Sequence, residues 1–419
     1  MDSKTSEPSS AQRLRLPPTF AALRHRNFRL WFAGQSVSLM GTWMQMVAQG
    51  WLVYKLTGSK LALGTISFIG NLPVLFLMVP AGVLADRVSR RALLLATQAV
   101  MTLQAFALAF LSATGRLSVW NLGLVSVVLG VANSFDAPAR MALTVELVED
   151  RRDVVNAIAL NSSMFNMARI VGPAIGGLLL ATVGASWCFT LNGISFLAVL
   201  IGLALMRFPP RQRAHQTEAF GAQIRAGLHY IVHNQLVVTM IGLITVSALF
   251  GLGYATLMPA YAADVLHVGE AGLGILNAVG GVGALVGSLL VASLGAYPRK
   301  GLLLSASNII FPLFILAFAF SRSFALSSVL LIIIGFAFVI HTSLLNTLIQ
   351  GMVPDALRGR VMSVYSLAFF GTTPFAALLA GATAQAWGIT AALVLGGALT
   401  LLFALLVVFK VPALRRIKA

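Results

Sequence analysis

The sequence predicts an all-α membrane protein with twelve transmembrane helices in two pseudo-symmetric six-helix bundles. Three observations carry this. The 419 residues are 58% hydrophobic and 10% charged, with a mean hydropathy of +0.90, whereas a soluble domain carries about 25% charged residues. Apolar runs recur along the chain at about 20–25 residues each, the length a helix needs to cross a bilayer. A polar, basic stretch divides those runs into six and six. A soluble enzyme is excluded for want of polar surface, and a disordered chain by the hydrophobicity.

Taken in order, residues 1–27 are polar and basic (Lys4, Arg13, Arg15, Arg24, Arg26, with Pro17-Pro18) and read as a cytoplasmic tail. The first bundle is expected over 28–207, with runs at roughly 30–54, 61–85, 92–114, 117–138, 156–181 and 186–206. The first run is too long for a signal-peptide core of about 7–15 residues, and no small-residue cleavage site follows, so the N-terminus is expected to be retained. A cytoplasmic linker, 208–235, carries Pro209-Pro210, Arg211, Arg213, His215, Glu218 and Arg225. The second bundle, 236–410, has runs at roughly 236–260, 271–295, 301–320, 324–349, 361–384 and 387–410, and 411–419 form a second cytoplasmic tail.

All but five of the 29 Lys and Arg fall on the side of the termini; Lys55, Lys60, Arg116 and Arg322 fall opposite, and Arg169 lies inside the fifth span. Basic residues stay on the cytoplasmic side, which puts both termini inside. The same bias accounts for the net charge of +17 and the pI of about 11.3 without any nucleic acid partner, since the charges form small clusters and no single basic face. The lone Cys188 allows neither an intramolecular disulfide nor a cysteine metal site. There is no Gly-x4-Gly-Lys-Ser/Thr and no His/Glu pair at metalloprotease spacing. Gly281-Val282-Gly283 lies within a span and is no dinucleotide loop. No enzyme, metal or cofactor is expected.

The halves repeat weakly. Val148-Glu149-Asp150-Arg151-Arg152 follows the fourth span, and Val353-Pro354-Asp355-Ala356-Leu357-Arg358 follows the tenth; Asn192-Gly193 and Gly396-Gly397 occupy similar offsets in the sixth and twelfth. The loop after the second span, Gly82-Val83-Leu84-Ala85-Asp86-Arg87-Val88-Ser89-Arg90-Arg91, resembles motif A of the major facilitator superfamily, with Ser89 where that motif usually has Gly. Gly82 permits close helix approach, and Asp86 can pair with cations or a helix N-terminus. Gly172-Pro173-Ala174-Ile175-Gly176-Gly177 resembles the antiporter motif C. Pro173 loosens the fifth span and the glycines let backbones touch, with Gly280, Gly281, Gly283 and Gly287 of the eighth span as the expected partners. Gly41-Thr42-Trp43-Met44-Gln45, Trp51 to Ser59, Phe135-Asp136-Ala137-Pro138-Ala139-Arg140 and Arg358-Gly359-Arg360-Val361 resemble the bacterial enterobactin-exporter-like branch, which includes macrolide-efflux-type proteins. The resemblance covers 28–410 and says little about substrate. It implies an outer gate at motif C (Gly172, Pro173, Gly176, Gly177), an inner gate at motif A (Gly82, Asp86, Arg87, Arg90, with Asp136 and Arg140), and export in preference to import.

An ionisable group inside a membrane is a functional hypothesis by default, and three stand out: Asp136, Arg169 and His341. Arg169 shares a helix face with Ser162, Asn166, Pro173 and Gly176; it either lines a central cavity or ties to backbone carbonyls or a carboxylate. Asp136 shares a face with Asn133 and Arg140, and is either a proton carrier or part of a fixed inner-gate network with Asp86, Arg90 and Arg140. His341 either titrates near neutral pH or is hydrogen-bonded across helices. Asp264, near the outer end of the seventh span, is expected to meet water. The first span has no acid, but places Ser38, Thr42, Gln45 and Gln49 on one face, suited to hydrogen-bonding a substrate. A substrate cavity is expected from Gln45, Gln49, Asn71, Asn166, Arg169, Tyr254, Asn277, Asn346 and Tyr365, since aromatic and amide groups tolerate varied ligands.

With the resemblance, these residues lead to an expected secondary transporter of the bacterial inner membrane. It would act as a monomer and exchange a small amphipathic or aromatic molecule (siderophore, macrolide or drug-like) for protons, with the proton gradient as energy source. A lysophospholipid flippase on the same fold, or a non-transporting regulator or scaffold, are the alternatives.

Overall fold

The computed structural model describes residues 18–206, 220–294 and 297–417; the expected linker residues Pro209, Pro210, Arg211, Arg213, His215 and Glu218 lie outside them. The first six spans are Arg26–Thr57, Lys60–Arg87, Arg90–Ala113, Val119–Glu146, Val154–Thr182 and Ala185–Leu205. The second six are Gln235–Val265, Gly269–Ser293, Lys300–Phe320, Phe324–Met352, Asp355–Trp387 and Ile389–Lys410. Eleven of these are long and apolar enough to cross a membrane. The remaining one, the first, is long enough at 32 residues but is interrupted by Gln35, Ser38, Gln45 and Gln49.

Most helix starts are written locally. Ser59, Ser89, Ser118 and Ser323 each accept a backbone N–H three residues on and cap the second, third, fourth and tenth spans, and Asn234 caps the seventh. Ser89 thus does a capping job at the place where motif A usually has Gly. Gly184 and Gly388, at φ +87° and +90°, turn the chain into the sixth and twelfth spans, at corresponding places in the two halves. Packing repeats as well: the second span lies on the fourth and the third on the sixth, just as the eighth lies on the tenth and the ninth on the twelfth.

Three boundaries differ from expectation. The fourth span continues through Pro138 to Glu146, so Arg140 is helical and one turn from Asp136. The eleventh begins at Asp355 and breaks at Gly371-Thr372, just before Pro374. The linker contains a helix, Phe220–His233, and an added Cβ at Gly227 would lie 2.9 Å from the Arg360 carbonyl at the start of the eleventh span. The seventh span is wound as π-helix at Ser247–Gly251 and Tyr261–Val265, a device common at functional bends.

The molecule has a basic end, which holds Arg87, Arg90, Arg91, Arg140, Arg358 and Arg360, and a far end. Trp120, Trp187 and Trp387, 88%, 53% and 71% exposed, all sit at the far end, at the level where tryptophans mark a membrane interface.

Candidate transport site and gates

The two halves meet along two seams, the second span against the eleventh and the fifth against the eighth. Both run from the far end to mid-span. A Cβ on Gly177 would lie 2.6 Å from the Gly274 Cα and 2.8 Å from the Glu270 carbonyl; one on Gly64 would lie 2.5 Å from the Ala377 carbonyl. Backbone therefore touches backbone, and only glycine fits. The other motif C glycines face inward to their own half, Gly172 against Met40 and Trp43 and Gly176 against Met44. Of the expected eighth-span partners, Gly281 does meet the fifth span, at the Arg169 carbonyl. Gly283 and Gly287 instead face Ile332 and Phe336 of the tenth, and Gly280 lies beneath Gly335. The four glycines spread round the helix, so one face cannot hold them all; Gly274 takes the seam.

Charged groups bridge the same end. Asp264 accepts a hydrogen bond from the Tyr54 hydroxyl at 2.5 Å and pairs with Lys60 at 2.9 Å. Glu270 accepts from the Trp51 indole at 2.9 Å and lies 3.6 Å from Lys55. Gln385 accepts from the Lys60 backbone N–H at 2.9 Å and from the Ser59 hydroxyl at 3.2 Å. Asp264 therefore meets water, as expected, and bridges the two halves as well. Sequence reasoning missed this cluster, although one signal was available: among the described acidic residues only Asp264 and Glu270 fall at the far end, and Tyr54, Lys55 and Lys60 lie in one hairpin opposite them.

The basic end is looser. An added Cβ at Gly82, Gly351 or Gly359 meets nothing within 4 Å. Gly82 therefore makes no close approach here, because the seams part before they reach it. Arg90 pairs with Glu146 at 2.6 Å and donates to the Ala142 carbonyl, which ties it to the end of the fourth span. The Asp86 side chain lies outside those described, and Arg87 is exposed. Asp136 is 1% exposed, accepts from Gln98 at 2.8 Å and Thr97 at 3.1 Å, and lies 3.6 Å from the Arg140 Nε. The expected Asp136–Arg140 pair forms; its wider network runs to the third span.

At mid-height, Arg169 sits near the middle of the fifth span with its guanidinium 5.9 Å from the Trp43 ring centroid and in electrostatic reach of Tyr254. It makes no hydrogen bond or ion pair among the described residues, so the carboxylate or carbonyl tie is not formed. Asn166 and Asn277 are half-buried, and Asn71 is exposed; each donates to the carbonyl four residues back. Gln49 donates to Ser126 at 2.6 Å. Gln45 is a correction: it is 2% exposed, accepts from Asn192 at 2.7 Å and reaches Gln104 at 3.4 Å. The polar face of the first span turns here against the sixth, where Gly41 lies beneath Asn192 and Ser195, and is spent on packing, not on substrate.

The tenth and eleventh spans line an open pocket of about 460 Å³ with Phe338, Thr342, Asn346, Tyr365, Phe369 and Phe370, among others. Tyr365 donates to the Thr342 carbonyl at 3.2 Å. His341, one position from Thr342, points the other way: it is fully buried, and neither ring nitrogen has a hydrogen-bond partner among the described residues. The expected cross-helix bond is absent. No group of His, Cys, Asp and Glu among the described residues could hold a metal.

Two like-paired sets of six membrane helices, joined by glycine seams and carrying no enzymatic constellation, define a transporter of the major facilitator type. The chain belongs to the transmembrane secretion effector family of that superfamily, whose family model matches residues 18–419. It is 27% identical over 386 residues to the multidrug efflux pump Tap of Mycolicibacterium fortuitum, covering 90% of this chain and 93% of that one. It is 28% identical over 405 residues to the enterobactin exporter EntS of Shigella boydii, covering 94% of each. Among solved structures the peptide transporter POT superposes with a TM-score of 0.76 at 14% identity, over 94% of this chain and 95% of that one. A bacterial Spinster homologue, in an inward-facing and occupied state, gives 0.72 at 14%, over 96% and 99%. These likenesses support the fold.

Proposed function

We propose that this protein is a secondary active efflux transporter of a bacterial inner membrane. It exports a small amphipathic or aromatic molecule, of siderophore, macrolide or drug-like size, and takes up protons in return. The observation that carries this reading is the one-sided seam. Far-end closure by Gly177–Gly274, Gly64–Ala377 and the Asp264 and Glu270 bridges, with open space round Gly82, Gly351 and Gly359, is the geometry of a carrier open to the basic end. The distribution of Lys and Arg puts that end in the cytoplasm. In that state the carrier loads from inside. The export names of Tap and EntS agree with the direction.

In this reading the two six-helix bundles rock about the central site within one chain, acting as a monomer. Motif C and its glycine seam form the outer gate; motif A, with Asp86, Arg87 and Arg90, closes the inner one. Asp136 carries the exchanged proton. Its carboxylate is buried and held by Thr97, Gln98 and Arg140. Arg169 and His341 are the other candidates for proton coupling within the spans.

The test uses inside-out membrane vesicles with an imposed proton gradient and a pH-sensitive dye. Siderophores, macrolides, dyes and lysophospholipids are added in turn to wild type and to Asp136→Asn. Substrate-dependent proton release that Asp136→Asn abolishes supports antiport through Asp136. Release unchanged in the variant removes Asp136 from the coupling. Silence across the panel, with folded protein, overturns proton antiport, and a response to lysophospholipid alone makes the protein a flippase.

A further inference from the structure

We propose that the central site takes an anionic aromatic molecule, and that Arg169 is the side chain that receives its negative group. This rests on the transporter reading and narrows its substrate. The argument begins from charge. Arg169 stands near the midpoint of a 29-residue span, where a cation without a counter-ion is costly and marks a ligand or ion path. Arg140, the nearest comparable cation in the spans, is paired with Asp136. Arg169 has no such partner among the described residues. Its contacts are the face of Trp43 and the field of Tyr254, and a ring face offsets only about 0.5–2 kcal/mol of that cost. Five donors of a planar guanidinium are thus left unused, and their fork matches carboxylate, sulfonate or phenolate oxygens.

Position adds to charge. The Arg169 backbone lies on the seam, with its carbonyl against Gly281 of the opposite half, while Trp43 belongs to the first span and Tyr254 to the seventh. Arg169 is therefore where both halves converge, and its side chain is half-exposed, not sealed. The described side chains offer no competing acid. Asp136, the acid within the described spans away from their ends, is 1% exposed and already satisfied by Gln98, Thr97 and Arg140. Among the described side chains Arg169 has no carboxylate partner, and its charge repels a lipophilic cation. The surroundings supply the aromatic half of the specificity. Phe165 stands edge-on to Trp43 at 5.9 Å, and Phe338, Phe369 and Phe370 line the cavity on the other half with Asn346 and Thr342. Rings fit such walls without a fixed geometry.

The test is binding to the purified full chain in lipid nanodiscs, with binding to empty nanodiscs subtracted. Three fluorescent probes are compared: 8-anilinonaphthalene-1-sulfonate, its uncharged parent N-phenyl-1-naphthylamine, and the cation ethidium. A charge-assisted hydrogen bond at this depth implies that wild type prefers the sulfonate over its parent by roughly tenfold or more. Arg169→Gln is expected to bring the two to within about twofold, while the parent's affinity stays unchanged and reports an intact site. Arg169→Lys is expected to keep part of the preference. A preference that survives in Arg169→Gln, ethidium bound as tightly as the sulfonate, or no saturable binding of any probe overturns the proposal. Efflux of the uncharged parent from vesicles tests transport separately. Efflux without the charge preference removes only the Arg169 assignment, and the charge preference without efflux removes only the transport reading.

Discussion

Replacing Gly177 with alanine adds one methyl group at the tightest point of the seam between the fifth and eighth spans. That Cβ would lie 2.6 Å from the Gly274 Cα and 2.8 Å from the Glu270 carbonyl, against about 3.5–4.0 Å for an ordinary carbon contact. The obstacles are backbone atoms on both sides, so no side chain can swing away, and the spans must part by about 1 Å. Overpacking of this kind costs about 1–3 kcal/mol. Only the state closed at the far end bears the cost, so its population falls relative to the open state by roughly 5- to 150-fold. The assay is accessibility. Cys188, the one native cysteine, is fully buried and stays silent, so Asn277→Cys, eight residues or about 12 Å inside the far end of the eighth span, reports on the outer vestibule. A membrane-impermeant maleimide added at the far side should label that position several-fold faster in the Gly177→Ala background, and export should drop in step. Gly280→Ala, whose Cβ would lie 3.9 Å from the Leu331 carbonyl, should change neither. Equal labelling with and without Gly177→Ala, in protein that remains monodisperse, refutes the gate.

Three further outcomes follow from the same geometry. Asp264→Asn removes a carboxylate that is about one-third exposed; because water screens such pairs, the far end should loosen by only about 0.2–1 kcal/mol, seen as a modest rise in Asn277→Cys labelling that disappears at high salt. Adding Glu270→Gln should deepen the effect, and an unchanged labelling rate in the double variant removes the bridges from gating. His341→Leu should raise stability in a thermal unfolding assay by about 1–3 kcal/mol, because it deletes buried polar nitrogens that lack partners, and should leave export intact; loss of export would move a coupling role to His341. Asp136→Ala should unfold more readily than Asp136→Asn, since alanine strands Gln98, Thr97 and Arg140 around an empty acceptor while asparagine keeps an oxygen in place; equal melting of the two would mean that those bonds add nothing.

What sequence revealed and what it concealed separate along one physical line. Features set by the chain's own neighbourhood were legible: span lengths, the basic end, and the glycine-proline run of the fifth span, whose composition makes sense only where backbones touch. Features that depend on which neighbour a face meets were not. Helical periodicity grouped Ser38, Gln45 and Gln49 correctly, yet it cannot say whether that face looks at substrate or at the sixth span, and Asn192 takes Gln45. The same limit applies to Gly280, Gly283 and Gly287, which are close in sequence to the seam but turned to the tenth span. Asp264 and Tyr54 are 210 positions apart, and each alone resembles an ordinary residue at a helix end. His341 failed in the opposite sense: a buried histidine ordinarily has a partner, and this one has none among the described residues.

The materials of the two seams bear on how such a carrier can move at all. A transporter needs two states close in energy, so whatever holds the far end shut must be weak in sum though exact in fit. A seam of leucines would bury apolar area at about 25 cal/mol per Å² and bias the carrier heavily to one state. Glycine against glycine supplies shape with little area, and it penalises any misregistered closure through direct backbone collision at Gly177 and Gly64. The bridges behave alike: Lys55 is 65% exposed in its pair with Glu270, and such a pair contributes well under 1 kcal/mol. Compliance is placed beside the seams, in Pro173 of the fifth span, the two π-helical turns of the seventh and the break at Gly371-Thr372 in the eleventh. The seventh and eleventh spans contribute Asp264 and Gln385, respectively, to the far-end contacts. Stiffening one of those bends, for instance by Gly371→Ala, whose Cβ would lie 2.5 Å from the Leu367 carbonyl, should therefore slow exchange between states without changing which contacts each state makes. That separates a hinge from a gate: a hinge variant lowers the export rate and leaves the wild-type proportion of far-side labelling, whereas a gate variant changes that proportion.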